Sequence, residues 1–158
     1  MGMENWTLWH VGISVKNMDE AVKYFRSLGG KTDDQPGHVL DSRVFKEFTS
    51  YGKTNPPPWR IKIKMLSLGP LMIEMTEPVD GGNWNETWLN EHGEGMNHIA
   101  YQVTDLSKEV AELEAKGVPA MYHAKGQYAY MDARKVGGLV IELFQKREGP
   151  PGPPPARR

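Results

Sequence analysis

His10-Val11-Gly12-Ile13-Ser14-Val15-Lys16-Asn17-Met18 lies over His98-Ile99-Ala100-Tyr101-Gln102-Val103-Thr104-Asp105-Leu106 when the chain is displaced against itself by 88 residues. Histidine meets histidine, Val15 meets Val103, and Asn17 meets Asp105. Farther on, Val22 meets Val110, Phe25 meets Leu113, and Gly29 meets Gly117. Each copy reads as a strand, a helix N-cap, an amphipathic helix and a glycine stop. In the first copy, Asn17 and Glu20 have capping-box spacing, and Met18, Ala21, Val22, Phe25 and Leu28 form one stripe. In the second, Leu106, Val110 and Leu113 share a face behind the N-cap Asp105.

The copies also end alike. Gly69-Pro70-Leu71-Met72-Ile73-Glu74-Met75 lies over Gly137-Gly138-Leu139-Val140-Ile141-Glu142-Leu143 at an offset of 68, so the first copy carries 20 additional residues. The Pro-rich stretch near 52–58 and its surroundings can absorb them. Strands are expected at 7–15, 60–66, 70–76, 97–103, 127–132 and 138–145. The boundaries drawn are a first module over 1–80, a connecting segment over 81–95 holding a short Trp84/Trp88/Leu89 helix, and a second module over 96–146. The remainder, 147–158, is expected to be a disordered Pro-rich tail.

Composition narrows the function. The 158 residues hold 19 Lys+Arg against 20 Asp+Glu, a formal net charge of −1, which excludes a broad electrostatic footprint for nucleic acid or an anionic membrane. No stretch is apolar enough to span a bilayer and the start lacks a signal-peptide pattern, so the expected location is cytoplasmic. There is no cysteine, and any metal site must use His, Asp and Glu.

A single His in an apolar strand has two readings, a hydrogen-bonded core residue or a ligand. A Glu flanked by Ile and Leu is less ordinary, because a buried carboxylate is costly unless paired or bound to metal. Two His and two Glu at matching repeat positions point to a pseudo-twofold arrangement that brings all four together. Imidazoles mixed with carboxylates suit Zn, Mn, Co, Ni or Fe(II).

A βαβββ module used twice, with His on each first strand and Glu on each last one, resembles the vicinal oxygen chelate superfamily. That group includes glyoxalase I, methylmalonyl-CoA epimerase, extradiol dioxygenases and bleomycin-resistance proteins. The resemblance spans about residues 6–146. It implies an α+β fold of two tandem βαβββ modules forming a concave mixed sheet around one divalent transition metal per chain. It also implies His10, Glu74, His98 and Glu142 as ligands, with Glu142 the catalytic base. The joint Trp88-Leu89-Asn90-Glu91-His92-Gly93-Glu94-Gly95-Met96-Asn97-His98 is similar to that of methylmalonyl-CoA epimerases.

The activity implied is an isomerase, epimerase or lyase acting on a small carbonyl or thioester compound by removing a proton α to the carbonyl, in a homodimer. An Fe(II) dioxygenase and a non-enzymatic, antibiotic-sequestering protein are the alternatives. By strand parity, Ser14 and Gln102 face the same way as His10 and His98, and His123, Tyr128 and Tyr130 lie near the strand pair leading to Glu142. These five are candidate pocket residues. Trp9 is expected to point away from His10, and Arg60, Lys62 and Lys64 to form a wet face that could hold an anionic substrate.

Overall fold

The computed structural model describes residues 3–146, so the tail expectation lies outside the described residues. Strand β1 (Thr7–Ser14) runs into helix α1 (Met18–Ser27), followed by β2 (His38–Asp41), β3 (Phe48–Ser50), β4 (Lys53–Thr54), β5 (Arg60–Leu68) and β6 (Leu71–Asp80). Helix α2 (Trp84–His92) connects to β7 (Gly95–Val103), α3 (Leu106–Ala115), β8 (Ala120–Ala124), β9 (Tyr128–Ala133) and β10 (Leu139–Gln145). One curved, open sheet has the order β2-β5-β6-β1-β7-β10-β9-β8-β3-β4. Within each module the first and last strands pair in parallel, β1 with β6 and β7 with β10. The modules join where β1 and β7 pair antiparallel at the centre.

The repeat extends to the helix starts. Asn17 accepts from the amides of Asp19 and Glu20, and Asp105 accepts from that of Lys108. A second acceptor arrives from the last strand of each module: Glu77 takes the Met18 N–H at 2.7 Å and Gln145 the Leu106 N–H at 3.0 Å. Glu77 and Gln145 also obey the 68-residue offset, so both copies tie helix start to closing strand. Gly29 and Gly117, with φ of 93° and 81°, take the left-handed turn that ends each helix.

Alternation along the strands gives the sheet two apolar faces. Helix α1 covers Leu66, Ile73 and Met75 on one outer surface. Helix α3 covers Ala129, Met131 and Leu143 on the other. The inner face holds a third cluster that includes Trp59, Ile61, Tyr122, Tyr128, Tyr130 and Val140. Among the described residues, no helix is long and apolar enough to cross a membrane.

The additional 20 residues are more than a loop. After β2 the chain leaves the first module, and β3 pairs antiparallel with β8 of the second, aligning Phe48 with Ala124 and Ser50 with Tyr122. A Lys125–Glu47 ion pair and a Tyr51–Asp132 hydrogen bond, at 2.7 and 2.8 Å, hold the crossing in place. The βαβββ plan calls for strands at the places of β2 and β8, whose ranges the sequence did not reveal, and β3 and β4 were not anticipated. All four are two to five residues long, and their pairing depends on partners far away in sequence.

Burial predicts unequal costs along β10. Leu143→Ala, at a fully buried position, should lose about 2–5 kcal/mol of stability in urea unfolding. Leu139→Ala, at a half-exposed one, should change it by less than about 0.5 kcal/mol.

Candidate metal centre

Four neighbouring central strands, β6, β1, β7 and β10, each contribute one of the residues Glu74, His10, His98 and Glu142 on the inner face. Pairing sets their positions. Gly12 aligns with both Glu74 and His98, while Ala100 aligns with both His10 and Glu142. Small residues at these two related positions leave room for the four larger side chains. A Cβ on Gly12 would lie 1.7 Å from His98 Cε1, inside the ring's own space.

The result is a buried group of His10, Glu74, His98 and Glu142 whose ligand atoms lie within 4.8 Å of one another. Glu142 Oε2 is 3.2 Å from Nε2 of both histidines, and Glu74 Oε2 is 3.6 Å from His10 Nε2 and 3.5 Å from His98 Nε2. The two Nε2 atoms are 3.4 Å apart. Bonds of about 2.1 Å to one transition metal imply ligand–ligand edges of about 3.0–3.4 Å in octahedral or tetrahedral geometry. The donor set fits such an ion. Burial of two carboxylates also demands positive charge, which a divalent cation would supply.

Proton equilibria fit the same picture. Burial works against the His98 imidazolium, but Glu142 and Glu74 outweigh it and raise the pKa to about 9. Burial likewise opposes the Glu142 carboxylate, but contacts from His10 and His98 hold its pKa down at about 2. In the metal-free site, His98 therefore stores a proton that balances part of the acidic charge.

A polar chain stands behind His98. Its Nδ1–H donates to Asn97 Oδ1 at 2.7 Å, which leaves Nε2 with a free lone pair in the neutral ring. Asn97 Nδ2 donates to Ser14 Oγ at 2.6 Å. Ser14 Oγ meets Thr76 Oγ1 at 3.3 Å, and Asn85 Nδ2 of α2 donates to Thr76 Oγ1 at 3.0 Å. Asn97, Thr76 and Asn85 were missed from sequence. Only Asn97, adjacent to His98, carried any local signal.

The candidate pocket residues divide. Tyr128 and Tyr130 belong to the inner cluster, and the Tyr130 ring sits edge-on to His98 at 5.2 Å. Gln102 keeps the parity of His98 and aligns with Phe144. Ser14 is corrected: its hydroxyl is engaged with Asn97 and Thr76 rather than lining a pocket. His123 is corrected too. It alternates with the inner residues Tyr122 and Ala124, and the charges that act on it belong to Glu114 of α3 and Lys125.

Two surrounding expectations also change. An irregularity in the β1–β7 pairing between Leu8 and His10 brings the Trp9 ring beside His10, at 5.8 Å, and Phe144, at 4.9 Å. The β5 cations are not open to an anion: Arg60 pairs with Asp80, Lys62 with Glu77 and Lys64 with Asp33.

Residues 9–137 match the family model described as Glyoxalase/Bleomycin resistance protein/Dioxygenase superfamily, and the chain belongs to that superfamily. A curated relative, the uncharacterized protein YqjC of Bacillus subtilis (strain 168), is 20% identical, with 87% of this chain and 91% of that protein covered. Among solved structures, a hypothetical protein from Bacillus halodurans C-125 superposes with a TM-score of 0.67 at 24% identity, covering 94% of this chain and 100% of that one. Methylmalonyl-CoA epimerase from Mycobacterium tuberculosis gives 0.65 at 21% identity, with 93% of each chain covered. These likenesses establish the shared fold.

Two measurements test the centre. Asn97→Leu should weaken Co(II) or Zn(II) binding about 10–100-fold in calorimetric titration, because His98 loses its fixed tautomer. In the parent protein at pH 8, below the His98 pKa of about 9, metal binding should release about one proton. Apparent affinity should then rise about tenfold per pH unit up to that pKa.

Proposed function

We propose that the protein is a metal-dependent isomerase, epimerase or lyase that removes a proton α to the carbonyl of a small substrate. The observation that carries this reading is the buried group of two histidines and two glutamates, each pair related by the repeat. A divalent transition metal held by His10, Glu74, His98 and Glu142 would supply Lewis-acid stabilisation of the negative charge developing on the carbonyl oxygen.

The chain's own groups account for the proton. Glu142 is the base, being the more deeply buried carboxylate and lying opposite Tyr130 in the β9–β10 register. Burial, followed by the charge of Glu142, pushes the Tyr130 phenol well above its usual value, so it remains neutral beside that carboxylate. Asn97, Ser14 and Thr76 hold the His98 ring still while charge moves nearby. Trp84 and Tyr130 pack around that ring and exclude water from it.

The protein named methylmalonyl-CoA epimerase in complex with methylmalonyl-CoA and NH4+ shares the fold at a TM-score of 0.61 and 19% identity. Its name supports a carbonyl substrate in this chain and leaves the acyl portion open. All four candidate ligands come from one chain, which supports a site complete in each protomer of a homodimer. Two carboxylates in the group favour this reading over an Fe(II) dioxygenase, whose 2-His-1-carboxylate triad leaves more positions open.

Solvent deuterium uptake into α-carbon positions of a ketone and thioester panel, read by NMR on Mn-, Co-, Ni- or Zn-loaded protein, tests the reaction. Uptake should fall at least about 100-fold in Glu142→Gln at full metal occupancy. Undiminished uptake in that variant would remove Glu142 as the base.

A further inference from the structure

The inner face beside the candidate centre is rich in aromatic rings, with Ile61, Met121 and Val140 among them. From the ligands outward, Phe144 lies 5.9 Å from His10, Tyr128 lies 5.9 Å from Phe144, and Phe45 lies 5.3 Å from Tyr128. Phe48 follows at 5.6 Å from Phe45, and Trp59 stacks on Tyr122 at 5.7 Å with ring planes 13° apart. Phe45, Phe48 and Trp59 come from the crossing segment, whereas Tyr122, Tyr128 and Phe144 come from the second module. This wall therefore exists only because the crossing segment docks on β8.

Two properties of the wall bear on what it recognises. First, the charges that act on Tyr128 are the carboxylates of Glu142 and Glu74. Cations of the surrounding strands and turns are already paired, Arg60 with Asp80, Lys62 with Glu77, Lys64 with Asp33, Lys125 with Glu47 and Arg134 with Asp132. A carboxylate or phosphate would meet no counter-charge along it. Second, two hydrogen-bonding atoms in the wall are buried without a partner among the described residues: Tyr128 Oη and Trp59 Nε1, on residues 7% and 4% exposed. Buried polar groups are almost always satisfied, so each unpartnered one calls for an occupant. Trp59 Nε1 can only donate, and the Tyr128 phenol also stays protonated, because burial and then Glu142 raise its pKa.

From the aromatic wall and its two orphaned donors, we propose that the substrate subsite takes a small, uncharged aryl carbonyl compound carrying a second oxygen acceptor remote from the reacting carbonyl. The remote oxygen accepts from Tyr128 Oη, with Trp59 Nε1 a second donor farther along the wall. The aryl ring exchanges ring–ring contacts between the crossing segment and the second module for ring–ligand contacts. Strands β3 and β4 are only three and two residues long, so this docked segment is the element able to part. The inference rests on the proposed carbonyl chemistry but concerns binding alone.

The test is calorimetric titration of chelator-treated, metal-free protein with three probes: 4-methoxyacetophenone, 4-ethylacetophenone, which lacks the remote oxygen, and acetoacetyl-CoA. The methoxy ketone should bind about five- to tenfold more tightly than the ethyl ketone, the worth of one neutral hydrogen bond. It should also outbind the thioester. In Tyr128→Phe, which keeps the ring, the methoxy preference should vanish, and the ligand-free variant should melt no lower than the parent. A lower melting temperature would mean that the hydroxyl has a structural partner, and would overturn the proposal. So would equal affinity of the parent for the two ketones, a preference that persists in Tyr128→Phe, or tighter binding of the thioester. Because neither metal nor turnover is involved, failure here with deuterium uptake intact removes only this subsite. Intact binding without uptake in loaded protein removes only the proposed reaction.

Discussion

Two buried carboxylates set the terms for the centre of this protein. Glu74 and Glu142 sit within hydrogen-bonding or near-contact distance of two imidazoles in an almost fully enclosed space. Such an arrangement is sustained only by positive charge, whether a proton stored on His98 or a divalent cation among all four groups. The surrounding architecture serves that requirement. Each of the four central strands contributes one of the four side chains, and Gly12 and Ala100 provide the space between them. A larger residue at either small position would push a ligand out of line.

The repeat supplies this symmetry inexpensively. A module with one His and one Glu on its paired first and last strands holds half a site, and joining two modules through their first strands completes it. The capping pair Glu77 and Gln145 shows the same economy, since each closing strand carries one glutamate of the buried group and, three residues later, the acceptor that starts its module's helix. Symmetry ends at the second tier. Asn97 fixes His98, while no side chain among the described residues meets His10 Nδ1. The two imidazoles thus enter the site with different supports, one oriented by a polar chain reaching α2 and the other flanked by Trp9 and Phe144.

Departure from symmetry also shapes the wall beside the centre. The 20 residues that lengthen the first module do not extend its own edge. They cross to β8 and bring Phe45, Phe48 and Trp59 against Tyr122 and Tyr128. The segment lies outside the four strands that carry His10, Glu74, His98 and Glu142, so it can lengthen without moving them. The inner surface consequently acquires its aromatic character from contacts between modules.

Legibility followed the range of the interactions. Strands β1, β5, β6, β7, β9 and β10, all three helices and the convergence of two His with two Glu could be read from periodicity, caps and the repeat, because each rests on local pattern or on correspondence between copies. The short strands β2, β3, β4 and β8 could not, since two to five residues carry little pattern and their pairing is non-local. Tyr128 and Tyr130, expected only to lie near the strand pair leading to Glu142, pack in the inner cluster, and strand parity was informative for Ser14 and Gln102 alone. It failed for Trp9, where a pairing irregularity rotates the ring, and for Ser14 it identified the face but not that the hydroxyl was already engaged. By itself, the sequence determined the repeated strand, cap and helix that open each module, the repeated closing strand and the four chemically matched residues. Only the tertiary structure decided the spacing of those residues, the tautomer that Asn97 holds, and which side of the sheet the crossing segment covers. Those features depend on backbone registers between strands distant in sequence, and no local pattern encodes such registers.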